Sequence, residues 1–325
     1  MDMKNKKKFS LAHMNDTNSY VLKLVIAIIV MYTVMCLTIP YFADFNNFIN
    51  ILSAMSITGI ISFGMTLVIL TGDIDLSVGS LVAMTSAMIC ALVNQGVNPW
   101  LSVLIAFLAC AGFGLINAFF IAKKKITAFI ITMGTMNVAR GIAYIIVGGK
   151  SQPFDAPSIR YFGKLKVFGV IPFAVVVVLV LLAVIWYVLK YTQFGRNVYA
   201  VGNNAETARL SGINVLKTQT IVFVIMGVLS AVAGFLLTAQ AYSGIPQAGS
   251  GYELDAITAV VLGGTLMTGG SGTIIGTMLG AFIVAVVENG MNLMSVSYYY
   301  QLLVKGAIVI IAMVIAKARG KKLKK

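Results

Sequence analysis

The chain has 325 residues, 59% of them hydrophobic and only 10% charged, too little polar surface to cover a water-soluble globule of this size. Its 24 Lys and Arg against 10 Asp and Glu leave a formal charge of +14, but the cations sit in clusters that flank apolar runs without aromatic interleaving, which excludes a nucleic-acid surface. The single histidine, His13, lies in a polar tail, so no histidine-based catalytic or metal site is expected.

Apolar runs of about 17 to 23 residues recur along the chain, each long enough as a helix to cross a hydrocarbon layer of about 30 Å. They fall near 21–39, 48–70, 76–95, 100–122, 126–147, 169–189, 218–240, 254–268, 272–290 and 298–316, the eighth short enough to be broken or re-entrant. The expectation is an all-α, polytopic helical bundle of about ten transmembrane helices. The first run is too long for a signal-peptide core and ends at Thr38-Ile-Pro-Tyr41 without a small-residue cleavage site, so it reads as a retained span.

Basic clusters set the orientation. Lys4, Lys6, Lys7 and Lys8 precede the first span; Lys123, Lys124 and Lys125 follow the fourth; Lys190, Arg196, Arg209 and Lys217 follow the sixth; Lys317 to Lys325 follow the tenth. With ten crossings all four clusters share one side, which places both termini and the polar island in the cytosol. The domain plan is a basic tail over 1–20, a transmembrane domain over 21–316 with a cytosolic loop at 190–217, and a second basic tail over 317–325. Lys150, Arg160, Lys164 and Lys166 are the exception, in the outer loop after span five.

Spans two to five and seven to ten form two four-helix blocks of opposite orientation about span six, the topology of an inverted repeat. Small residues recur every fourth position: Gly79, Ala83, Ala87 and Ala91 on span three; Ala106, Cys110, Gly114 and Ala118 on span four; Gly272, Gly276 and Gly280 on span nine. Since lipid offers no hydrophobic drive for helix association, such stripes serve close packing rather than a pore lining. Cys36, Cys90 and Cys110 lie within spans without metal or redox spacing and read as small packing residues.

Polar residues at membrane depth are costly, roughly 2.5–3.5 kcal/mol for a centrally placed charge, and must face protein or water. Asp73 and Asp75 stand in Thr71-Gly-Asp-Ile-Asp-Leu-Ser-Val-Gly79, between two spans with almost no loop. Two readings stand: Asp75 or Ser77 caps span three, or a broken helix turns its polar end to a permeation route. Span five carries Thr132, Thr135, Asn137 and Arg140, with Gly134, Asn137 and Gly141 on one face, which suits either a polyhydroxylated solute or interhelical bonding. Tyr242, Ser243, Gln247, Tyr252, Glu253 and Asp255 cluster before span eight on the outer side, as a docking mouth or a hydrated loop.

The run Gly263-Gly-Thr-Leu-Met-Thr-Gly-Gly-Ser-Gly-Thr273 has no strand before it and is not a dinucleotide loop. Gly149-Lys150-Ser151 mimics the end of a phosphate loop, but Tyr144 occupies the first glycine's position. The chain shows no nucleotide site of its own, and no nucleophile with a base or metal-ligand set, so it is not expected to be an enzyme.

The one long polar island is Phe194 to Val215. Within it Asn203-Asn-Ala-Glu206 has the spacing of a capping box, with Asn203 accepting from the amide at Glu206. Ala205 to Ser211 would then make about two turns, and Gly212 the left-handed stop. So short a helix persists in water only if something packs on it: its own membrane domain, or a soluble partner.

Glu206-Thr-Ala-Arg-Leu-Ser-Gly212 resembles the Glu-Ala-Ala…Gly loop of bacterial ABC importer permeases. The wider set resembles the ribose and related monosaccharide permeases from span two onward: Thr71 to Gly79, Ala200 to Ile213, Gly251-Tyr-Glu-Leu-Asp-Ala-Ile257, and Asn289-Gly-Met-Asn-Leu293 with Tyr299-Tyr-Gln-Leu-Leu-Val-Lys305. Asp73 departs from the pattern where a small residue is expected, Thr207 replaces the middle Ala, and the Leu-Pro ending of the wider importer motif is absent. The resemblance implies a homodimer in membrane lipid, worked inside by a tandem ATP-hydrolysing subunit that holds ATP and Mg, and supplied outside by a soluble sugar-binding protein. It implies ATPase coupling by Asn203, Glu206, Ala208, Arg209, Ser211 and Gly212, and no cofactor on this chain. From the residues come a path at Asp73, Asp75, Ser77, Thr135, Asn137 and Arg140, and outer docking at Lys150, Arg160, Lys164, Lys166, Glu253 and Asp255. The alternatives are a permease of the same fold for nucleosides, signal sugars or branched-chain amino acids, or an ion-coupled transporter using Asp73, Asp75 or Glu288.

Overall fold

A computed structural model describes residues 3–323, with side-chain surroundings for 19–314 and 317; the side chains of Lys4, Lys6, Lys7, Lys8 and His13, and those beyond Lys317, lie outside the described residues. Helices stand at all ten apolar runs: α1 (Met3–Thr38), α2 (Phe45–Leu70), α3 (Val78–Asn94), α4 (Pro99–Ala118) running into a π-helical turn (Phe119–Lys123), and α5 (Ala128–Ile146). After a short α6 (Pro157–Lys164) come α7 (Phe173–Tyr191), α8 (Gln193–Asn203), α9 (Ala205–Leu210), α10 (Val215–Ala241), α11 (Tyr252–Leu262), α12 (Ile274–Leu293) and α13 (Tyr298–Leu323).

The helix starts follow side-chain capping, which satisfies first-turn amides that have no partner within the helix. Asp44 accepts from the Asn46 amide at 2.8 Å to open α2, Asn98 from Trp100 at 2.9 Å to open α4, and Asn214 from Lys217 at 2.9 Å to open α10. Among the described residues seven helices are long and apolar enough to cross a membrane: the apolar part of α1 (Ser19–Thr38), α2, α4 with its π-helical turn, α5, α7, α10 and α12. Of the other three expected spans, α3 and Tyr298–Val314 of α13 are shorter apolar helices. The 11 residues of α11 rise only about 17 Å, and the chain continues non-helically over 263–273, so the eighth run is the broken one the sequence suggested.

Packing shows a two-fold plan that the sequence carried only as topology. α2 and α10 pack on each other at the centre; α10 also packs on α3 and α4, as α2 does on α11 and α12, while α5 lies on α3 as α13 lies on α11. The small-residue stripes make the close crossings: Gly114 faces the Phe223 carbonyl and Gly227 the Cys110 carbonyl between α4 and α10, and Gly276 and Gly280 face Gly263 and Ala259 between α12 and α11. Cys90 and Cys110 are buried free thiols, as their packing role requires.

Two short antiparallel pairings, one between distant segments and one a hairpin, close the end opposite α9. β1 (Gln152–Pro153) runs antiparallel to β4 (Ser243–Gly244), and β2 (Lys166–Val167) to β3 (Ile171–Pro172).

Candidate functional site

α9 differs from expectation by one residue at its start. Asn204, not Asn203, is its cap, accepting from the Thr207 amide at 2.8 Å with extended backbone at φ −164°, ψ 108°. Asn203 instead ends α8, and its amide donates to the Tyr199 carbonyl at 2.9 Å, so the capping box is replaced by a helix–cap–helix corner. Glu206 does not reach back; it forms an exposed bidentate pair with Arg209 at 2.6 and 3.0 Å, and the guanidinium holds its carboxyl below the usual range. The stop is as expected. Gly212 is left-handed at φ +83°, its amide bonds Arg209 O at 3.0 Å, and the Ile213 amide bonds Ala208 O at 3.0 Å, the paired bonds of a Schellman ending. Ala208 is buried beneath the helix while Leu210 is exposed.

What α8 and α9 rest on explains the Gly-rich run. A side chain on Gly202 would collide with the Leu70 carbonyl and the Gly270 amide, and one on Gly270 would collide with Asn203. The Gly270 amide donates to Leu70 O at 3.0 Å, and the Tyr199 hydroxyl to Gly272 O at 3.0 Å. Three backbone segments, the end of α2, the end of α8 and the loop 263–273, thus meet at glycines with nothing between them, with Gly269 and Gly270 left-handed at φ +82° and +71°.

The α2–α3 break continues from this junction. Asp73 accepts from Gln219 at 3.0 Å, which ties the break to the start of α10, and burial pushes its carboxyl up to about 6 despite that bond and the nearby Lys125. Asp75 is 1% exposed and accepts from the Ser77 amide at 2.8 Å and the Ser77 hydroxyl at 2.6 Å, so it organises the turn into α3. Asn117 of α4 donates to the Ser77 hydroxyl at 3.3 Å and accepts from Thr135 of α5 at 2.8 Å. A buried chain Asp75–Ser77–Asn117–Thr135 therefore joins three helices. A lone Asn in an apolar run carries no spacing signal, so nothing local in the sequence marks Asn117.

Asn137, two residues beyond Thr135 and so on nearly the opposite side of α5, is exposed and bonds its own helix, at Met133 O (3.0 Å). Side chains at Gly134 or Gly141 would meet open space, so this face of α5 is not covered by the chain itself. Arg140 is directed elsewhere: it donates to the carbonyls of Pro246 (2.9 Å) and Ala248 (2.7 Å), latching α5 to the segment after α10.

The outer residues sort into two groups. Lys150, Arg160, Lys164 and Lys166 are exposed, and Arg160 and Lys164, one turn apart on α6, converge on the Tyr242 ring at 4.8 and 5.6 Å. Asp255 is 3% exposed and so does not present the docking surface expected of it, while Glu253 is half-buried beside Gly79. Asp255 meets Lys305 of α13 at 3.0 Å, and Lys305 also meets Glu288 of α12 at 3.0 Å, a fastening that a lone cation in the last apolar run foreshadows. Among the described residues no three His, Cys, Asp or Glu side chains gather as a metal-holding group.

The model for the family "Branched-chain amino acid transport system / permease component" matches residues 47–313. The chain is 41% identical over 297 residues to the ribose import permease protein of Escherichia coli (strain K12), covering 90% of this chain and 92% of that one. It is 39% identical over 285 residues to the ribose import permease protein of Bacillus subtilis (strain 168), covering 86% and 88%, and 36% identical over 292 residues to the L-arabinose transport system permease protein of E. coli (strain K12), covering 90% and 89%. No solved structure matches the chain. A match across more than half of the chain, on a helical bundle with seven apolar spans, establishes the assignment: the chain is a member of the branched-chain amino acid transport system permease component family.

Proposed function

We propose that this chain is the membrane-spanning subunit of an ATP-driven importer for ribose or a related monosaccharide. The sugar class rests on the ribose and arabinose permeases that match 86–90% of the chain at 36–41% identity. The ATPase reading rests on α9: a six-residue helix, capped at both ends, with an exposed outer face, packed on α8, whose glycine-packed end is tied to α2 and the α11–α12 loop. A helix of that length does not hold itself. Set on a rigid junction, it can transmit a push from a soluble ATP-hydrolysing partner into the bundle, in the manner of rigid-body switching between discrete packings. The uncovered face of α5 at Gly134, Asn137 and Gly141 would line the route against a second copy of the chain, with Thr135 held behind it. Outside, Arg160 and Lys164 on Tyr242, with Lys150 and Lys166, would meet acidic patches of a sugar-binding protein. Both termini and α9 would then lie in the cytosol, as the basic clusters require.

Uptake into vesicles holding this chain, its ATPase and its binding protein, scanned over pentoses and hexoses, tests the reading. ATP-dependent accumulation of a pentose supports it; accumulation of a branched-chain amino acid instead, or uptake without the ATPase, overturns it. Charge reversal at Lys150, Arg160, Lys164 and Lys166 should weaken binding-protein docking in a salt-sensitive way, and unchanged docking would sink that part.

A further inference from the structure

The α9 end of α7 carries an arrangement that the importer function does not use. Lys190 stands over two rings, its ammonium 4.8 Å from Trp186 and 5.2 Å from Tyr191, and those rings meet each other edge-on at 5.6 Å. Tyr187 adds a third ring 5.3 Å from Tyr191. Arg196, from the first turns of α8, reaches back to the Tyr191 carbonyl at 3.4 Å. Two exposed cations thus gather at one residue, and neither meets a carboxylate among the described residues, whose three ion pairs all involve Arg209 or Lys305.

A stripe of exposed apolar side chains leads to this corner. Val180 (57%), Val184 (50%) and Tyr187 (58%) follow one another at spacings of four and three on α7, a helix apolar enough to cross a membrane. Acyl chains fit the stripe, and the aromatic rings mark the level where headgroups begin. Lysine and arginine at that level extend toward phosphate. The chain then turns off sharply at Thr192, whose hydroxyl accepts from the Gly195 amide at 3.2 Å to start α8, so the corner stays open beside the cations. We infer that Trp186, Lys190, Tyr191 and Arg196 form a binding site for the headgroup of an anionic phospholipid, its acyl chains lying along Val180 and Val184.

The site can be read directly because the chain has only two tryptophans, Trp100 and Trp186. In full-length Trp100→Phe protein, Trp186 becomes the sole fluorescent reporter. Reconstitution into phosphatidylcholine vesicles containing a small fraction of brominated phosphatidylglycerol, or the same fraction of brominated phosphatidylcholine, compares occupancy by the two headgroups. The expected result is stronger quenching by the anionic lipid, corresponding to a preference of roughly tenfold or more for two cations at a membrane surface. That preference should vanish in Lys190→Gln/Arg196→Gln and persist in Lys123→Gln/Lys124→Gln/Lys125→Gln, which removes a basic cluster elsewhere. Equal quenching by the two lipids overturns the site. So does a preference that survives the first substitution, or one lost equally with the second. The readout is independent of transport, so it stands or falls apart from the importer reading.

Discussion

Lys305 of α13 places its ammonium 3.0 Å from the buried carboxylate of Asp255 on α11, and the same ammonium reaches Glu288 of α12 at 3.0 Å. One cation thus fastens the last helix to two others. Replacing it as Lys305→Met strands the buried Asp255 carboxylate and leaves the partly exposed Glu288 without its cation, and breaking a buried pair costs about 3–5 kcal/mol. We expect the melting transition in detergent to fall markedly. The triple change Lys305→Met/Asp255→Asn/Glu288→Gln should recover much of the loss, and failure to recover would show that α13 is held chiefly by other contacts.

The buried chain through Asn117 makes a second expectation. Asn117→Ala removes both a donor to Ser77 and an acceptor for Thr135, at about 1–3 kcal/mol for the groups left unsatisfied. Thr135→Val removes only one of those links. Because both act on one bond, the double variant should be less destabilised than the sum of the singles, as chemical denaturation would show. Strict additivity would mean that the two side chains do not bond.

At α9 the caps make distinct predictions. Asn204→Ala should raise amide exchange at Thr207 and cost the helix about 1 kcal/mol, whereas Asn203→Ala should leave Thr207 protected. Gly212→Ala forces a left-handed side-chain residue, at roughly 1 kcal/mol, and should fray Leu210 to Ile213. If α9 couples hydrolysis to transport, Gly212→Pro lowers uptake while the complex still assembles.

Asp73 gives a pH dependence whose sign is set by burial. Its carboxyl is raised from the ordinary 3.8 to about 6, so the folded chain binds the proton more tightly than the unfolded one. Stability therefore falls as pH rises from about 4 through about 6 and is level above that. Asp73→Asn keeps an acceptor for Gln219 and removes the ionisation, and should be more stable than the parent at pH 7 by an amount on the order of 1–2 kcal/mol. The difference should close near pH 4; a difference independent of pH would place its origin in packing.

The helical bundle and its helices at the ten apolar runs were determined by composition and apolar periodicity, because a chain with so little polar surface has few other ways to satisfy its backbone in lipid. Local signals also carried the stop at Gly212, the brevity of the eighth helix and the small-residue crossings, since each depends on residues adjacent in sequence or one turn apart. Tertiary structure decided the rest. The cap moved from Asn203 to Asn204 because Asn203 is held by α8 at the glycine junction, 67 residues from Gly270 in sequence. Arg140 turned to two carbonyls more than 100 residues away, and Asp255 turned inward to Lys305, for the same reason. A polar side chain in an apolar interior takes whichever partner the packed helices bring within reach, and no local pattern records that choice.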